Sequence, residues 1–124
     1  MDWTQAGLRA AGPRTLGVNA YLWRAALDTF SFLPVAKADP FGGVIISDWY
    51  SPPDTPNERL KVTIYVMDRA LRSDGLKIVV FRQIRNGSEW RYAQANPDIG
   101  RKLEDAILTR ARQLHLDARN GEGP

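Results

Sequence analysis

The chain has 124 residues, with 17 Lys and Arg against 14 Asp and Glu, one His and no Cys. A chain of this length forms one domain that buries roughly 65% of the surface exposed when it is unfolded, which allows a core without cross-links. The absence of Cys excludes disulfides, thiolate metal ligands and a Cys nucleophile, and a single His excludes a multi-His metal site. We therefore expect no metal site, and we predict no cofactor.

The net charge of +3 comes mainly from arginine, since thirteen of the cations are Arg and four are Lys. Arg is better suited than Lys to bidentate pairing and to interfaces. The cations are spread along the chain and do not form a block, so we expect no nucleic-acid partner.

Composition divides the chain into three parts. Residues 1–17 contain Gly and Pro but few large apolar side chains, which predicts a flexible N-terminal segment without the apolar core of a signal peptide. Residues 18–116 carry the periodic apolar pattern of a single α+β domain. Residues 117–124 are predicted to be a disordered tail. No apolar run approaches the ~20 residues that span a bilayer.

The first predicted element is a helix over Val18–Leu33, with Asn19 as its N-cap and Pro34 as its stop. On a helical wheel, Arg24, Asp28 and Ser31 form a narrow polar stripe, and the remaining positions are almost all apolar. We therefore expect this helix to be covered on most sides.

Four strands are predicted next. They are separated by the Pro-rich run Ser51–Asn57, by a turn at Ser73–Gly75 and by the hairpin dipeptide Asn86-Gly87. The predicted strands are Gly42–Tyr50, Glu58–Met67, Leu76–Arg85 and Ser88–Ala93. In the second of them Leu60, Val62, Ile64 and Val66 alternate with Lys61, Thr63 and Tyr65.

The last predicted element is an amphipathic helix over Pro97–Leu116, capped by Asn96 and with Pro97 at its first position. The order α-β-β-β-β-α predicts an α+β fold in which an antiparallel four-stranded sheet carries two helices on one face. We expect the first helix to lie in the curve of the twisted sheet, as in a helix-grip-like sandwich.

The sequence contains few residues in patterns typical of an enzyme active site. His115 lies near the end of the last helix, where it favourably meets the helix dipole. No nucleophile elbow and no Gly-rich phosphate loop is present. Carboxylates at strand ends and turns could in principle act as an acid–base pair, although such residues usually cap turns; these are Asp39, Asp48, Asp54, Glu58, Asp68 and Asp74. We predict that the protein is not an enzyme and place a carboxylate hydrolase last.

The segment Ala38–Asn57 is the most distinctive part of the chain. It is either a strand followed by a stiff connection, or a recognition rim in which aromatic residues beside a Pro-rich loop act as binding anchors. Trp49 points into the core under the first interpretation and outward under the second. The candidate binding residues are Asp48, Trp49, Tyr50, Pro52, Pro53 and Arg59, and Arg59 either pairs with Asp48 or reaches an acidic partner.

The run DPFGGVIISDWYSPP, together with the stretches around it over about residues 17–116, resembles the DUF3576 family of alphaproteobacteria. The resemblance implies a small envelope protein, often made with a signal sequence and sometimes lipidated at a Cys. This chain departs from that pattern in its first residues. The strand ending in Asp48-Trp49 is also similar, more loosely, to the helix-grip domains of BamC-type outer-membrane lipoproteins.

These observations lead to a functional expectation and an alternative. We expect a non-enzymatic domain that binds a protein partner or assists assembly in the cell envelope, in the periplasm or at the inner face of the outer membrane. The alternative is a small-ligand or lipid-binding module with a pocket between the sheet and the first helix.

Overall fold

The computed structural model describes residues 20–67 and 75–120 of the chain. Within these ranges two α-helices flank five strands in chain order. The elements are helix α1 (Ala20–Thr29), a 3₁₀ turn (Phe30–Phe32), strands β1 (Val35–Asp39), β2 (Val44–Ser47), β3 (Glu58–Val66), β4 (Leu76–Asn86) and β5 (Glu89–Ala93), and helix α2 (Pro97–Arg119).

The strands form one antiparallel sheet in the order β1-β2-β3-β4-β5, so each strand pairs with its neighbours in the chain. The α+β class is as predicted, but the prediction of four strands is wrong because β1 is a fifth. Its sequence VAKAD contains Ala, Lys and Asp, which are depleted in strands, and most of it is exposed at the edge of the sheet. A strand that buries no face has no apolar alternation to reveal it.

The first helix is shorter than predicted. It ends at Thr29, and the 3₁₀ turn carries the chain to Leu33, which is extended with φ −122° and ψ 139°. Such a conformation is expected for a residue that precedes proline. The predicted cap Asn19, the predicted flexible segment 1–17 and most of the turn before β4 lie outside the described residues.

The hairpin between β4 and β5 turns one residue later than predicted. Asn86 pairs with Glu89, so the two turn residues are Gly87 and Ser88. Gly87 has φ +68°, and no other residue type in the described chain has a positive φ. This is the pattern of a type II′ turn, which places Gly at its first central position.

Helix α2 begins as predicted and ends later. The Asn96 side chain accepts a hydrogen bond of 2.9 Å from the backbone N–H of Asp98, and Pro97 occupies the first turn. The helix continues to Arg119, three residues beyond the predicted end at Leu116, so the predicted tail starts inside the helix. Residues 121–124 lie outside the described ranges.

Both helices pack on one face of the sheet and against each other. We call this the inner face and the opposite side the outer face. The buried core consists of Leu22, Ala25, Ala26, Phe30 and Leu33 from the first helical segment, Ile45, Val62, Ile64, Val66 and Leu76 from the sheet, and Ile107, Leu108, Ala111 and Leu114 from α2. None of the described helices has the length and apolar character needed to cross a lipid bilayer.

Candidate binding surface

A β-bulge after β2 determines the direction of Trp49. Ile46 pairs with Thr63, whereas Tyr50 forms an isolated bridge with Leu60, so three residues on one side face two on the other. An uninterrupted strand with Ile45 buried would also turn Trp49 inward, because side chains alternate between faces. The extra residue reverses that alternation. Tyr50 consequently packs against the core, while Trp49 joins side chains of the outer face.

Ser47 holds the bulge in place. It is completely buried, and its Oγ accepts a hydrogen bond of 2.8 Å from the backbone N–H of Val62. The same hydroxyl donates to the carbonyl oxygen of Asp48 at 2.9 Å. The side chain therefore provides the hydrogen bond that the sheet ladder loses at this irregular position.

Arg59 lies between two tryptophan rings on the outer face. Its guanidinium carbon is 4.6 Å from the ring centroid of Trp49 and 4.2 Å from that of Trp90. Its Nε donates a hydrogen bond of 2.7 Å to Oε1 of Gln83, the residue paired with it on β4. Two cation–π contacts and a hydrogen bond thus fix the orientation of this guanidinium.

Neighbouring strands extend this cluster. Lys61 Nζ lies 5.8 Å from the Trp49 centroid, and Arg85 lies 5.8 Å from that of Trp90. The rings of Trp49 and Tyr92 are 6.2 Å apart and tilted by 56°. We refer to the resulting group as the Trp49 surface; it comprises Trp49, Arg59, Lys61, Arg85, Trp90 and Tyr92.

The Trp49 surface is accessible and positively charged. Tyr92 is 71% exposed, and Phe81, which pairs with Lys61 on the same face, is 40% exposed. Strand alternation places no carboxylate on the outer face of β3, β4 or β5. Among the described residues, neither Arg59 nor Lys61 forms an ion pair, and the same holds for Arg85.

The other predicted site residues have different positions. Asp48 is exposed within the bulge, and in the described chain no ion pair joins it to Arg59. Pro52 and Pro53 lie in the connection to β3, which is tied by a hydrogen bond of 3.0 Å from Thr55 N–H to the Pro52 carbonyl. The structure therefore brings Trp49 and Arg59 together and leaves Tyr50 on the inner side.

Sequence reasoning missed Lys61, Arg85, Trp90 and Tyr92 as parts of one surface. Each lies on a predicted strand, and the pairing register of the strands would have shown that they share one face. In the hairpin, Arg85 is opposite Trp90 and Gln83 is opposite Tyr92. Alternation on β3 and β4 extends the same face to Lys61. Register therefore supplies what composition alone does not.

The residues considered for enzyme chemistry have structural contacts. The His115 ring is half-buried and lies edge-on to Tyr21, with centroids 5.1 Å apart. Oδ1 of Asp39 accepts hydrogen bonds from the backbone N–H groups of Phe41 and Gly42, as expected for a turn cap. Glu58 pairs with Arg82 at 2.9 Å.

Three further carboxylates were considered for the same chemistry. Asp54 is exposed in the connection to β3, as Asp48 is in the bulge. Asp68 and Asp74 lie outside the described residues.

The space between α1 and the sheet is filled by apolar side chains. Leu22, Ala25 and Ala26 of α1 are completely inaccessible to solvent, as are Ile45 and Ile64 beneath them in the same cluster. A cleft of about 530 Å³ lies elsewhere, where β5 leads into α2. It is lined by the Glu58–Arg82 ion pair and by residues 94–97 and Ile99.

Comparison with known proteins identifies the family. The family model described as "Domain of unknown function (DUF3576)" matches residues 16–116. The chain is also similar to "Uncharacterized protein RP420" of Rickettsia prowazekii (strain Madrid E), with 38% identity over 101 residues. That alignment covers 82% of this chain and 60% of the relative, so the chain spans less than two thirds of the relative's length. The chain belongs to the DUF3576 family.

Proposed function

We propose that this DUF3576 domain is a non-enzymatic protein-interaction module that binds its partner through the Trp49 surface. The observation that carries the proposal is an exposed sheet face on which an arginine is fixed between two tryptophans. Trp, Tyr and Arg are the residue types that contribute most to binding at protein interfaces. Side chains that are already ordered lose little entropy on association, which favours affinity.

The pocket alternative has less support. Small-ligand sites are concave and of several hundred Å³, whereas the side chains between α1 and the sheet are close-packed and inaccessible. The cleft near the Glu58–Arg82 ion pair has no residue of the first helix in its lining. The packing of the inner face therefore favours a module that acts through its outer face.

The proposed compartment is the cell envelope, in the periplasm or at the inner face of the outer membrane. Support comes from the implied envelope character of DUF3576 proteins and from the looser likeness to BamC-type lipoprotein domains. Cell fractionation with an antibody against the domain tests this proposal. We expect recovery with the periplasmic or outer-membrane fraction, and recovery with the cytosolic marker would contradict it.

Site-specific photo-crosslinking in cells tests the interaction. Benzoylphenylalanine replaces Tyr92, and as a control it replaces Arg112, which is exposed on α2. We expect a discrete protein adduct from position 92 only. The adduct should disappear when Arg59→Gln and Lys61→Gln are added. Identical adducts from both positions, or no adduct from position 92, would refute the proposal.

A further inference from the structure

We infer that the partner segment bound by the Trp49 surface is an extended, acidic stretch of protein, an inference that rests on the proposed function. The first argument is the distribution of charge partners. Each ion pair in the described chain lies on the inner face or on a helix: Arg82 with Glu58, Arg91 with Glu89, Arg101 with Asp98, and Arg110 with Asp28. None of these ion pairs involves a cation of the outer face, so the charges there are available to an external anion.

Five cations share the outer face by strand alternation, namely Lys37 on β1, Arg59 and Lys61 on β3, and Lys77 and Arg85 on β4. None has an ion-pair partner within the described ranges. Two carboxylates accompany these cations: Asp39, at the end of β1, whose Oδ1 already accepts two backbone N–H groups, and Asp48, exposed in the bulge beside Trp49. The face is therefore complementary to a polyanion.

The spacing of these cations matches an extended peptide. Arg59 and Lys61 are two residues apart on β3, a separation of about 6.7 Å along a strand. Alternate side chains of a bound extended segment repeat at the same distance, so carboxylates at positions i and i+2 would face both cations. Arg59 uses Nε for Gln83, and its two Nη nitrogens have no other partner in the described chain, which leaves them for a carboxylate.

The ring contacts favour a peptide over single-stranded nucleic acid. Nucleic-acid platforms need aromatic faces that are free to stack on bases. Here Arg59 lies over a face of both Trp49 and Trp90. Lys61 and Arg85 approach the same two rings, and Tyr92 lies against Trp49. The groups best presented on the surface are thus cationic donors, with Tyr92 at the rim as an apolar contact.

Fluorescence anisotropy with synthetic probes tests the inference. The probe is a fluorescein-labelled dodecapeptide of alternating Glu and Ser; a Gln-Ser peptide and an oligothymidylate of the same length are the comparison ligands. We expect the Glu-Ser peptide to bind at low ionic strength and to dissociate as salt screens the charges. The Gln-Ser peptide should bind at least about fivefold more weakly.

Matched variants localise the binding. Lys61→Gln and Arg85→Gln should each weaken the Glu-Ser peptide by about fivefold. Lys102→Gln and Arg112→Gln remove the same charges from exposed positions on α2 and should leave affinity within about twofold. Equal losses of affinity from the outer-face variants and the α2 variants would show that net charge alone attracts the peptide, and would overturn the inference.

The remaining outcomes separate the inference from the proposed function. Tighter binding of oligothymidylate, weakened by the same outer-face variants, would assign the surface to nucleic acid and overturn both. Absence of Glu-Ser binding with the position-92 crosslink still formed in cells would overturn only the acidic partner. Loss of the crosslink with Glu-Ser binding retained would show an anion-binding face that is not used for a protein.

Discussion

At the scale of single residues, Trp49 and Tyr50 show how one inserted residue decides which face of the sheet a side chain occupies. They are adjacent aromatic residues, yet Trp49 contacts Arg59 on the outer face and Tyr50 packs against the core. In an uninterrupted strand, Trp49 would face the core and Tyr50 would face outward. The sequence does not reveal the bulge, because a bulge produces no hydrophobic signal of its own. The two interpretations of Trp49 could therefore not be resolved before the pairing register was known.

The first prediction compares these two residues. Trp49→Ala should lower the free energy of unfolding by about 1–2 kcal/mol, since it removes cation–π contacts at a half-exposed position. Tyr50→Ala should cost more, about 2–3 kcal/mol, because it leaves a gap against the core. Denaturation in urea measures both values. A larger cost for Trp49→Ala than for Tyr50→Ala would show that the faces are assigned wrongly.

The second prediction concerns the residue that supports the bulge. Ser47→Ala leaves the buried N–H of Val62 without its acceptor and should destabilise the protein by about 1–3 kcal/mol. Ser51→Ala, at an exposed position in the following connection, should change stability by no more than about 0.5 kcal/mol. Equal stability of the two variants in urea would indicate that the Ser47 bond does not hold the bulge.

At the scale of elements, the sequence predicted what has a strong local signal. The alternation of apolar residues along β3 is as expected, and so are the N-cap Asn96 and the first-turn Pro97 of α2. The edge strand β1 was missed because it buries no alternating face. The hairpin was found but its turn was placed one residue early, because Asn86-Gly87 and Gly87-Ser88 are both turn dipeptides and only the pairing distinguishes them.

The third prediction applies one substitution to two elements. Gly87 has φ +68° with open space around the Cβ position, so Gly87→Ala should cost about 1–2 kcal/mol from backbone strain alone. Gly100 lies within α2, also with no atom within 4 Å of a built Cβ. Gly100→Ala should therefore stabilise the protein by about 0.5–1 kcal/mol. Thermal unfolding distinguishes the signs, and a stabilising Gly87→Ala would exclude the assigned turn.

At the scale of the whole molecule, the two faces of the sheet differ in composition and burial. The inner face carries the core beneath two helices, as the apolar pattern of the strands and of α2 predicted. The outer face keeps polar and aromatic residues that look like ordinary solvated positions when each strand is considered alone. Arg59, Lys61 and Trp90 form one surface only when β3, β4 and β5 are aligned side by side. The sequence therefore predicted the packing of helices on a sheet but not the Trp49 surface.

The close packing between the helices and the sheet bears on the ligand-binding alternative, and this gives the fourth prediction. Ala25 and Ala26 of α1 and Ala111 of α2 are completely buried in one cluster, so small side chains set how closely the helices and sheet approach. Ala26→Leu should destabilise the protein by about 1–3 kcal/mol, because added methylenes have no space in a close-packed core. Ala106→Leu, exposed on α2, is the control and should be nearly neutral.

A cavity beneath α1 would give the opposite result. Leucine at position 26 would then fill empty space, and the variant would be as stable as the parent or more so. Urea denaturation of the two leucine variants therefore tests the interior directly, without knowledge of any ligand. If Ala26→Leu is destabilising and the variant, while folded in the absence of urea, still binds the Glu-Ser peptide, the binding belongs to the outer face. The interior would then serve only to support the sheet.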